Sequence, residues 1–216
     1  MPTVRTFTEA GGHPVNEDAF GVRAHPDDPG HLLVALADGQ GGRAGGARAS
    51  SVACRSALAI TAAWPIFQVR QWSSWIAAIK EVDKAVSEDR ETGLTTLVGL
   101  SIESGFLLGA SVGDSAVFCV DGPGETRELT CNQPKNPPVG SGGCSPMHFH
   151  THLVPPWTVL VMSDGVWKYA GWDRIREAMK ALRGQALIDA LQDAARMKGS
   201  RTFQDDFTLI AIQDTE

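Results

Sequence analysis

Apolar residues along the chain are grouped in two ways, as short runs rich in β-branched and aliphatic side chains and as longer stretches with helical spacing. Gly, Asp or Pro bounds most of the short runs, a pattern typical of β-strands. The run from 107 to 120 is broken at Gly113 and Asp114, which predicts two strands joined by a tight turn. In all, we predict strands at residues 17–23, 31–37, 95–102, 105–112, 115–121, 157–162 and 207–213.

The longer stretches predict four helices. An Ala-rich segment forms the first at 44–63, and an apolar stripe marks the second at 73–90. A further pair is predicted at 173–183 and 185–198. The elements lack the regular β–α alternation of a doubly wound sheet. We therefore predict an α+β fold, in which two mostly antiparallel β-sheets pack as a sandwich between pairs of α-helices.

Pro and Gly are concentrated between residues 131 and 156. We predict a single domain over residues 1–216, with an irregular insertion at about 131–156. Loops of this length are commonly functional or mobile. A chain of 216 residues can bury one sizeable core.

The net charge of −6 gives no general electrostatic case for binding nucleic acid. The chain shows no signal-peptide pattern and no apolar stretch near the ~20 residues of a membrane span. Its four cysteines are far apart and form no CxxC motif, which predicts free thiols in a reducing, cytoplasmic compartment: Cys54, Cys119, Cys131 and Cys144.

Five short acidic motifs are distributed along the chain, and most of them touch a predicted strand. Carboxylates at strand ends are costly to bury without a partner. A shared metal cluster would compensate them, and all-oxygen ligands suit hard cations such as Mg²⁺ or Mn²⁺. The motifs are Asn16-Glu17-Asp18, Asp38-Gly39-Gln40-Gly41-Gly42, Gly113-Asp114-Ser115, Ser163-Asp164-Gly165 and Asp205-Asp206.

The motif at Asp38 shows the chemistry most clearly. The apolar run 32–37 ends in Asp38, and a Gly-rich turn then leads into a predicted helix. Glycine lets the backbone approach a ligand closely, so a main-chain carbonyl can join the carboxylate in binding a cation. Taken alone, this motif is equally consistent with a strand-to-helix turn and an Asp cap. The run 159–162 repeats the arrangement before Asp164.

Together the motifs resemble those of the metal-dependent serine/threonine protein phosphatases, the protein phosphatase 2C family, in a compact bacterial form. The matching motifs keep the family's order: NED, DGxGG, a Thr-Thr-Leu strand at 95–97, GDS, SDGxW and a final DD before a hydrophobic strand. They span residues 16 to 212. The resemblance implies an active site at one edge of the sandwich.

The resemblance also implies the roles of individual residues. Asp38 matches the carboxylate that bridges two metal ions, and Gly39 supplies a backbone oxygen. Glu17 matches a ligand of one ion, while Asp164 and Asp205 match ligands of the other.

Three further acidic residues take lesser roles by the same resemblance. Asp18 matches an acid that holds metal-bound water. Asp114 matches a ligand of a weaker third ion, which it shares with Asp164, and Asp206 is expected beside the ligands. The implied cofactors are two or three Mn²⁺ or Mg²⁺ ions. A water or hydroxide bridging two of them would attack the phosphorus directly, without a phosphoenzyme.

The residues expected to bind phosphate depart from the family pattern. His13 stands where many relatives have a phosphate-binding Arg, and we list it as a catalytic candidate, with an exposed loop residue as the alternative. Arg5, Arg43 and Arg48 are other candidate cations. Gln40 stands where some relatives carry a His that protonates the leaving group, so a metal-bound water or His13 would have to serve.

The insertion is a further departure. The Leu-Thr at 129–130 is followed by CNQP rather than the family's Asp-His, and a Pro/Gly loop replaces the usual flap. Substrate specificity is therefore the property that is least transferable from the family to this chain. His148, His150 and His152 would share one face of a strand, as a transition-metal site or as exposed residues.

We therefore expect a Mn²⁺- or Mg²⁺-dependent protein-serine/threonine phosphatase. It would act as a monomer on a phosphorylated protein, with a cognate serine/threonine kinase as candidate partner, and bind neither nucleic acid nor membrane. One alternative is a catalytically weak module that binds or regulates a phosphoprotein or kinase. Another is a dinucleotide-binding oxidoreductase, suggested by GQGGRA at 39–44, but no acid occurs between Asp38 and Glu81 to bind a ribose.

Overall fold

The computed structural model describes residues 2–40, 45–122 and 124–214. Within these residues ten strands form, numbered β1 to β10 in chain order: Thr3–Glu9, Asp18–His25, Asp28–Asp38, Leu97–Glu103, Phe106–Val112, Ala116–Val120, Thr126–Glu128, Met147–His152, Thr158–Met162 and Phe207–Gln213. Six helices, α1 to α6, are described: Gly46–Ala62, Ile66–Val69, Trp72–Glu88, Asp164–Ala170, Trp172–Ala181 and Gly184–Ala195. None of the helices in the described ranges is long and apolar enough to cross a membrane.

The strands form two antiparallel five-stranded sheets, with the orders β1-β10-β9-β6-β7 and β2-β3-β4-β5-β8. This confirms the predicted α+β class with two antiparallel sheets. Each sheet belongs to one of two compact units. The first unit comprises Met1–Asn16, Ala116–Leu129 and Leu153–Glu216, and the second comprises Glu17–Ser115 and Thr130–His152.

The second unit is built around β3. Every residue of β3 from 31 to 37 is buried, which explains why its sequence is continuously apolar rather than alternating. Leu33, Ala35 and Ala37 belong to the core cluster that includes the small residues of α1 and the indole of Trp75 on α3. The alanines of α1 let that helix pack close to the strand.

The first unit is built around β10, which is buried along its whole length. Its helices α4, α5 and α6 contribute apolar side chains to one core cluster with β6, β9 and β10. The rings of Phe203 and Phe207 stack at a centroid distance of 4.4 Å, and Phe7 on β1 meets both edge-on. These aromatic contacts tie the segment before β10 to the edge strand β1.

All seven predicted strands are present, with ends within a few residues of the prediction, but three strands were not predicted. β1 and β7 are polar or short, and β8 buries only Phe149 fully, so none of them has a strong apolar pattern. The presence of β8 corrects the irregular insertion of 131–156, because Met147–His152 is an antiparallel partner of β5.

The run 107–120 forms two strands joined by a short turn, as predicted. The two strands belong to different sheets, because β5 pairs with β4 and β8, whereas β6 pairs with β7 and β9. Gly113 adopts a φ of 110° between them, and a Cβ there would lie 2.5 Å from the Thr96 side chain.

All four predicted helices are present, at Gly46–Ala62, Trp72–Glu88, Trp172–Ala181 and Gly184–Ala195. Ala44, the predicted start of the first, lies outside the described residues. The short helices α2 and α4 were not predicted, because four and seven residues are too few to establish a helical period.

Candidate active site

Two carboxylates face each other at the end of the β2–β3 hairpin. Asp18 opens β2, Asp38 closes β3, and the two are direct antiparallel partners. Like charges in directly opposed positions destabilise a strand pair. The backbone N–H of Gly39 donates to the Glu17 carbonyl oxygen at 3.0 Å, which brings a third acidic residue to the same end. The arrangement favours a bound cation.

Glycines allow this close approach. A Cβ on Gly39 would lie 2.4 Å from the Gly46 carbonyl oxygen and 2.8 Å from the Glu17 carbonyl oxygen. A Cβ on Gly46 would lie 2.8 Å from Oε1 of Glu17. The first residue of α1 therefore lies against the Glu17 carboxylate, where the helix dipole favours negative charge. Gly41, Gly42 and Arg43 of the same turn lie outside the described residues.

The hydroxyl of Thr96 links two of the acidic motifs. The backbone N–H of Asp38 donates to Thr96 Oγ1 at 2.9 Å, and Thr96 Oγ1 lies 2.7 Å from Oγ of the fully buried Ser115. The Asp38 carbonyl oxygen accepts from the Thr96 N–H and the Thr95 hydroxyl, each at 2.9 Å. No role was predicted for the Thr-Thr-Leu strand at 95–97. The structure shows that it fixes the backbone of Asp38.

Asp114 lies in the turn between β5 and β6, next to Ser115. Its carboxylate pairs with Nζ of Lys135 at 2.5 Å, and its side chain is 21% exposed. Because the strands are antiparallel, the C-terminal ends of β3 and β5 lie at the same end of the second sheet as the start of β2. Five predicted site residues share that end: Glu17, Asp18, Asp38, Gly39 and Asp114.

The insertion crosses the same end of the sheet. The Pro134 carbonyl oxygen accepts from the Gly113 N–H at 3.1 Å, and Gln133 Nε2 donates to the Ser115 carbonyl oxygen at 2.6 Å. Further along, Val139 and Thr95 exchange two backbone hydrogen bonds of 3.0 Å. This part of the chain is therefore attached to the strand ends that carry the acidic motifs.

A buried carboxylate on α3 holds the rest of the insertion. Asp83, 4% exposed, accepts from the backbone N–H groups of Gly140 at 2.7 Å, Gly142 at 3.1 Å and Cys144 at 3.0 Å. Burial, reinforced by the Asp83 charge, raises the pKa of the Cys144 thiol to about 12. This role of Asp83 was not predicted, because its only local signal is an acid within the apolar stripe of a helix.

In the first unit, Asp164 and Asp205 lie close together. Asp164 is the first residue of α4 and contacts Lys168 one turn later. A Cβ on Gly165 would lie 2.0 Å from the Asp206 carbonyl oxygen and 3.4 Å from the Asp205 Cβ. Glycine at 165 is thus required for α4 to begin beside the segment that carries Asp205.

Asp206 organises the segment that contains His13. Asp206 is buried, and its Oδ1 accepts from the Gly11 N–H at 2.8 Å. A Cβ on Gly11 would lie 2.0 Å from the Asp205 carbonyl oxygen, so glycine permits this contact. His13 follows in an exposed bend.

The other candidate cations have different surroundings. Arg5 is exposed on β1 and donates to the Val4 carbonyl oxygen. Arg48 pairs with Asp89 at 2.8 Å and with Glu91 at 3.1 Å. These contacts weaken the case for Arg48 as a phosphate ligand.

The three alternating histidines lie on β8 and are exposed. His148 packs against Trp72 at a ring-centroid distance of 4.8 Å, and His152 packs against Phe106 at 4.9 Å. His148 and His150 stack on each other at 6.2 Å. Aromatic packing on the sheet edge accounts for these side chains.

Another cluster of ligand-type side chains lies at the turn end of the β2–β3 hairpin. Ligand atoms of Asp28, His31 and Glu103 lie within 4.8 Å of one another. However, Arg70 donates to both carboxylate oxygens of Glu103, and Nδ1 of His31 lies 3.2 Å from one of them. A guanidinium there opposes a metal ion, so the contacts describe an ion-pair network.

The second unit thus presents oxygen ligands on closely approaching backbone, the donor set that hard divalent cations take. A profile of the family described as Protein phosphatase 2C matches residues 10–138, more than half of the chain. The chain belongs to the protein phosphatase 2C family. It is a phosphatase by family, and the matched range includes the motifs at Glu17, Asp38 and Asp114.

Solved structures of phosphatases share this fold. The serine/threonine phosphatase Stp1 from Staphylococcus aureus superposes with a TM-score of 0.83 at 20% identity, covering 100% of this chain and 96% of the other. PppA, described as a key regulatory component of T6SS in Pseudomonas aeruginosa, gives 0.77 at 21% identity, with 98% and 97% covered. RsbX in complex with magnesium gives 0.73 at 18%, with 99% of each chain covered. A sequence comparison with curated proteins found no match.

Proposed function

We propose that this chain hydrolyses phosphoserine and phosphothreonine in proteins, with Mg²⁺ or Mn²⁺ as cofactor. The observation that carries the proposal is the pairing of Asp18 with Asp38, beside Glu17 and the glycine-enforced approach of Gly39 to α1. Two ions are proposed, and their ligands would be Glu17, Asp38, Gly39, Asp164 and Asp205.

The chain's own residues would position these ligands and move protons. When bound, hard divalent cations lower the pKa of water and stabilise charge on phosphoryl oxygens. Asp38 is held at its backbone N–H and carbonyl by Thr96, so its carboxylate is presented in one place. Asp18, directly opposite, would accept a hydrogen bond from the attacking water and orient it. No cysteine or serine nucleophile is needed.

We propose that His13 contacts the substrate phosphate or protonates the leaving seryl or threonyl oxygen. Its exposure in the bend after β1 leaves it accessible to a phosphorylated chain. The hydrogen bond from Gly11 to Asp206 supports this role, because it anchors the bend to the segment that carries Asp205. Asp206 would act by positioning and not by binding an ion.

The substrate would be a phosphorylated protein, and a cognate serine/threonine kinase is the candidate partner. Two of the similar structures support this class: Stp1 is a serine/threonine phosphatase, and RsbX was solved in complex with magnesium. Free thiols at all four cysteines agree with the proposed cytoplasmic setting. We propose that the chain acts as a monomer.

One observation favours the alternative of a catalytically weak regulatory module. Lys135 and Lys168 contact two of the predicted metal ligands, Asp114 and Asp164. Ammonium groups at those carboxylates compete with metal ions. The regulatory description of PppA fits the same alternative.

The test is phosphate release from phosphoserine and phosphothreonine peptides, with Mn²⁺ or with EDTA. We expect turnover that requires the metal and falls at least a hundredfold in Asp38→Asn, which removes one charge at little change in volume.

Asp27→Asn is the matched control. It makes the same change at the exposed turn of the same hairpin, about 23 Å away along the strands. This variant should keep wild-type turnover. If wild-type protein binds phosphopeptides but releases no phosphate with either metal, the enzyme proposal is wrong and the regulatory module is favoured.

A further inference from the structure

The ammonium group of Lys135 contacts Asp114, the one predicted metal ligand that the two-ion site does not require. Nζ of Lys135 is 2.5 Å from Oδ2 of Asp114, a distance that places the two groups in direct contact. A divalent ion binds a carboxylate oxygen at about 2.0 to 2.6 Å. The ammonium and an ion therefore cannot occupy that side of the carboxylate together.

The backbone just before Lys135 is anchored beside Asp114. On its N-terminal side, Gln133 donates to the Ser115 carbonyl oxygen, and the Pro134 carbonyl oxygen accepts from Gly113. These contacts attach the residues before Lys135 to the residues that flank Asp114 on either side. The backbone that carries Lys135 is thus anchored beside Asp114, while the Lys135 side chain itself is 67% exposed.

The contact between Lys168 and Asp164 differs from this one. That pair spans one turn of α4, an i,i+4 arrangement that any helix offers. Asp164 also lies beside Asp205, so one ammonium leaves net negative charge for a divalent ion to neutralise.

We propose that Lys135 is a permanent cation at Asp114 that takes the place of a third divalent ion, so that this chain uses two ions. The proposal rests on the proposed function for the two ions themselves. The insertion would then contribute to the electrostatics of the site, because the Lys135 ammonium, whose charge does not depend on metal concentration, replaces an exchangeable ion.

The experiment counts Mn²⁺ ions bound to the apo protein, by titration with electron paramagnetic resonance of the free ion. Wild type should bind two ions. Lys135→Met removes the charge at similar length and should bind three, and adding Asp114→Asn to it should return the count to two. Lys84→Met is the control and should bind two ions, because it changes an exposed lysine whose Nζ lies 3.8 Å from Oε1 of Glu88.

Three ions on wild type, or two on both Lys135→Met and Lys135→Gln, would overturn the role of Lys135 while leaving the phosphatase proposal intact. Wild type that binds no Mn²⁺ and releases no phosphate would overturn both. Circular dichroism of each variant establishes that it is folded before the ions are counted, and Lys135→Gln supplies the count if Lys135→Met does not fold.

Discussion

Replacing Asp83 with alanine should release the insertion from α3. The Asp83 carboxylate is 4% exposed and accepts three backbone hydrogen bonds of 2.7 to 3.1 Å from Gly140, Gly142 and Cys144. Alanine leaves those three N–H groups without their acceptor. The insertion would then have to open so that water could satisfy them, which would also expose Cys144.

The magnitude follows from the contacts. A hydrogen bond to a charged group contributes about 1.5–3 kcal/mol, so three would exceed 4 kcal/mol if nothing relaxed. Because the loop can move into water, we expect Asp83→Ala to lower the free energy of unfolding by about 3 kcal/mol. Asp83→Asn keeps Oδ1 for Gly140 and Gly142 but turns a donor toward the Cys144 N–H, and should cost about 1.5 kcal/mol.

Urea denaturation measures these losses, with Glu81→Gln as control, because Glu81 is exposed on the same helix two residues away. Thiol labelling of the native protein gives a local readout. In wild type the exposed Cys131 should react first, since Cys144 is buried with a raised pKa. In Asp83→Ala, Cys144 should react as well. A loss below about 1 kcal/mol with Cys144 still unreactive would refute the reasoning.

Three further predictions concern the site and the hairpin. Thr96→Val removes the acceptor of the Asp38 N–H, so it should lower the free energy of unfolding by about 1–3 kcal/mol in urea denaturation and also lower kcat. Thr96→Ser keeps the hydroxyl and should retain the wild-type stability and kcat. Equal effects of the two substitutions would contradict this role of Thr96. His13→Arg should raise kcat/KM for phosphopeptides about threefold to tenfold, because a permanently charged fork binds phosphate better, and a fall would count against phosphate binding at this position. Burial lowers the pKa of His31 from 6.5, against the opposing charge of Glu103. Because the unfolded chain then takes up a proton that the folded chain excludes, the stability due to His31 is lost as pH falls below about 6.5. The melting temperature of His31→Gln should therefore depend less on pH between about 8 and 5, and an unchanged pH dependence would exclude this effect.

The sequence predicted those parts of the fold in which the pattern is local. β3 and β10 are continuous apolar runs because they are buried at nearly every position, and α1 and α3 are long enough to show a helical period. β8 was missed because five of its six side chains are exposed or only partly buried, so its apolar signal is a single Phe149.

The same distinction between local and long-range patterns applies to the candidate site. The motifs at Asp38 and Asp164 were predicted because a strand, a carboxylate and a glycine are adjacent in sequence. The contacts of Asp83 and Lys135 were not predicted, since their partners lie 57 to 61 and 21 residues away along the chain and depend on how the insertion folds back. Pairing over such separations has no local signature.

The most direct test of the account is to locate Mn²⁺ by anomalous scattering from crystals of the protein grown with the ion. We predict peaks bonded to the Asp38 carboxylate and the Gly39 carbonyl oxygen, with Glu17, Asp164 and Asp205 completing the coordination. Peaks confined to Asp28, His31 and Glu103 at the other end of the hairpin, or none at Asp38, would contradict it.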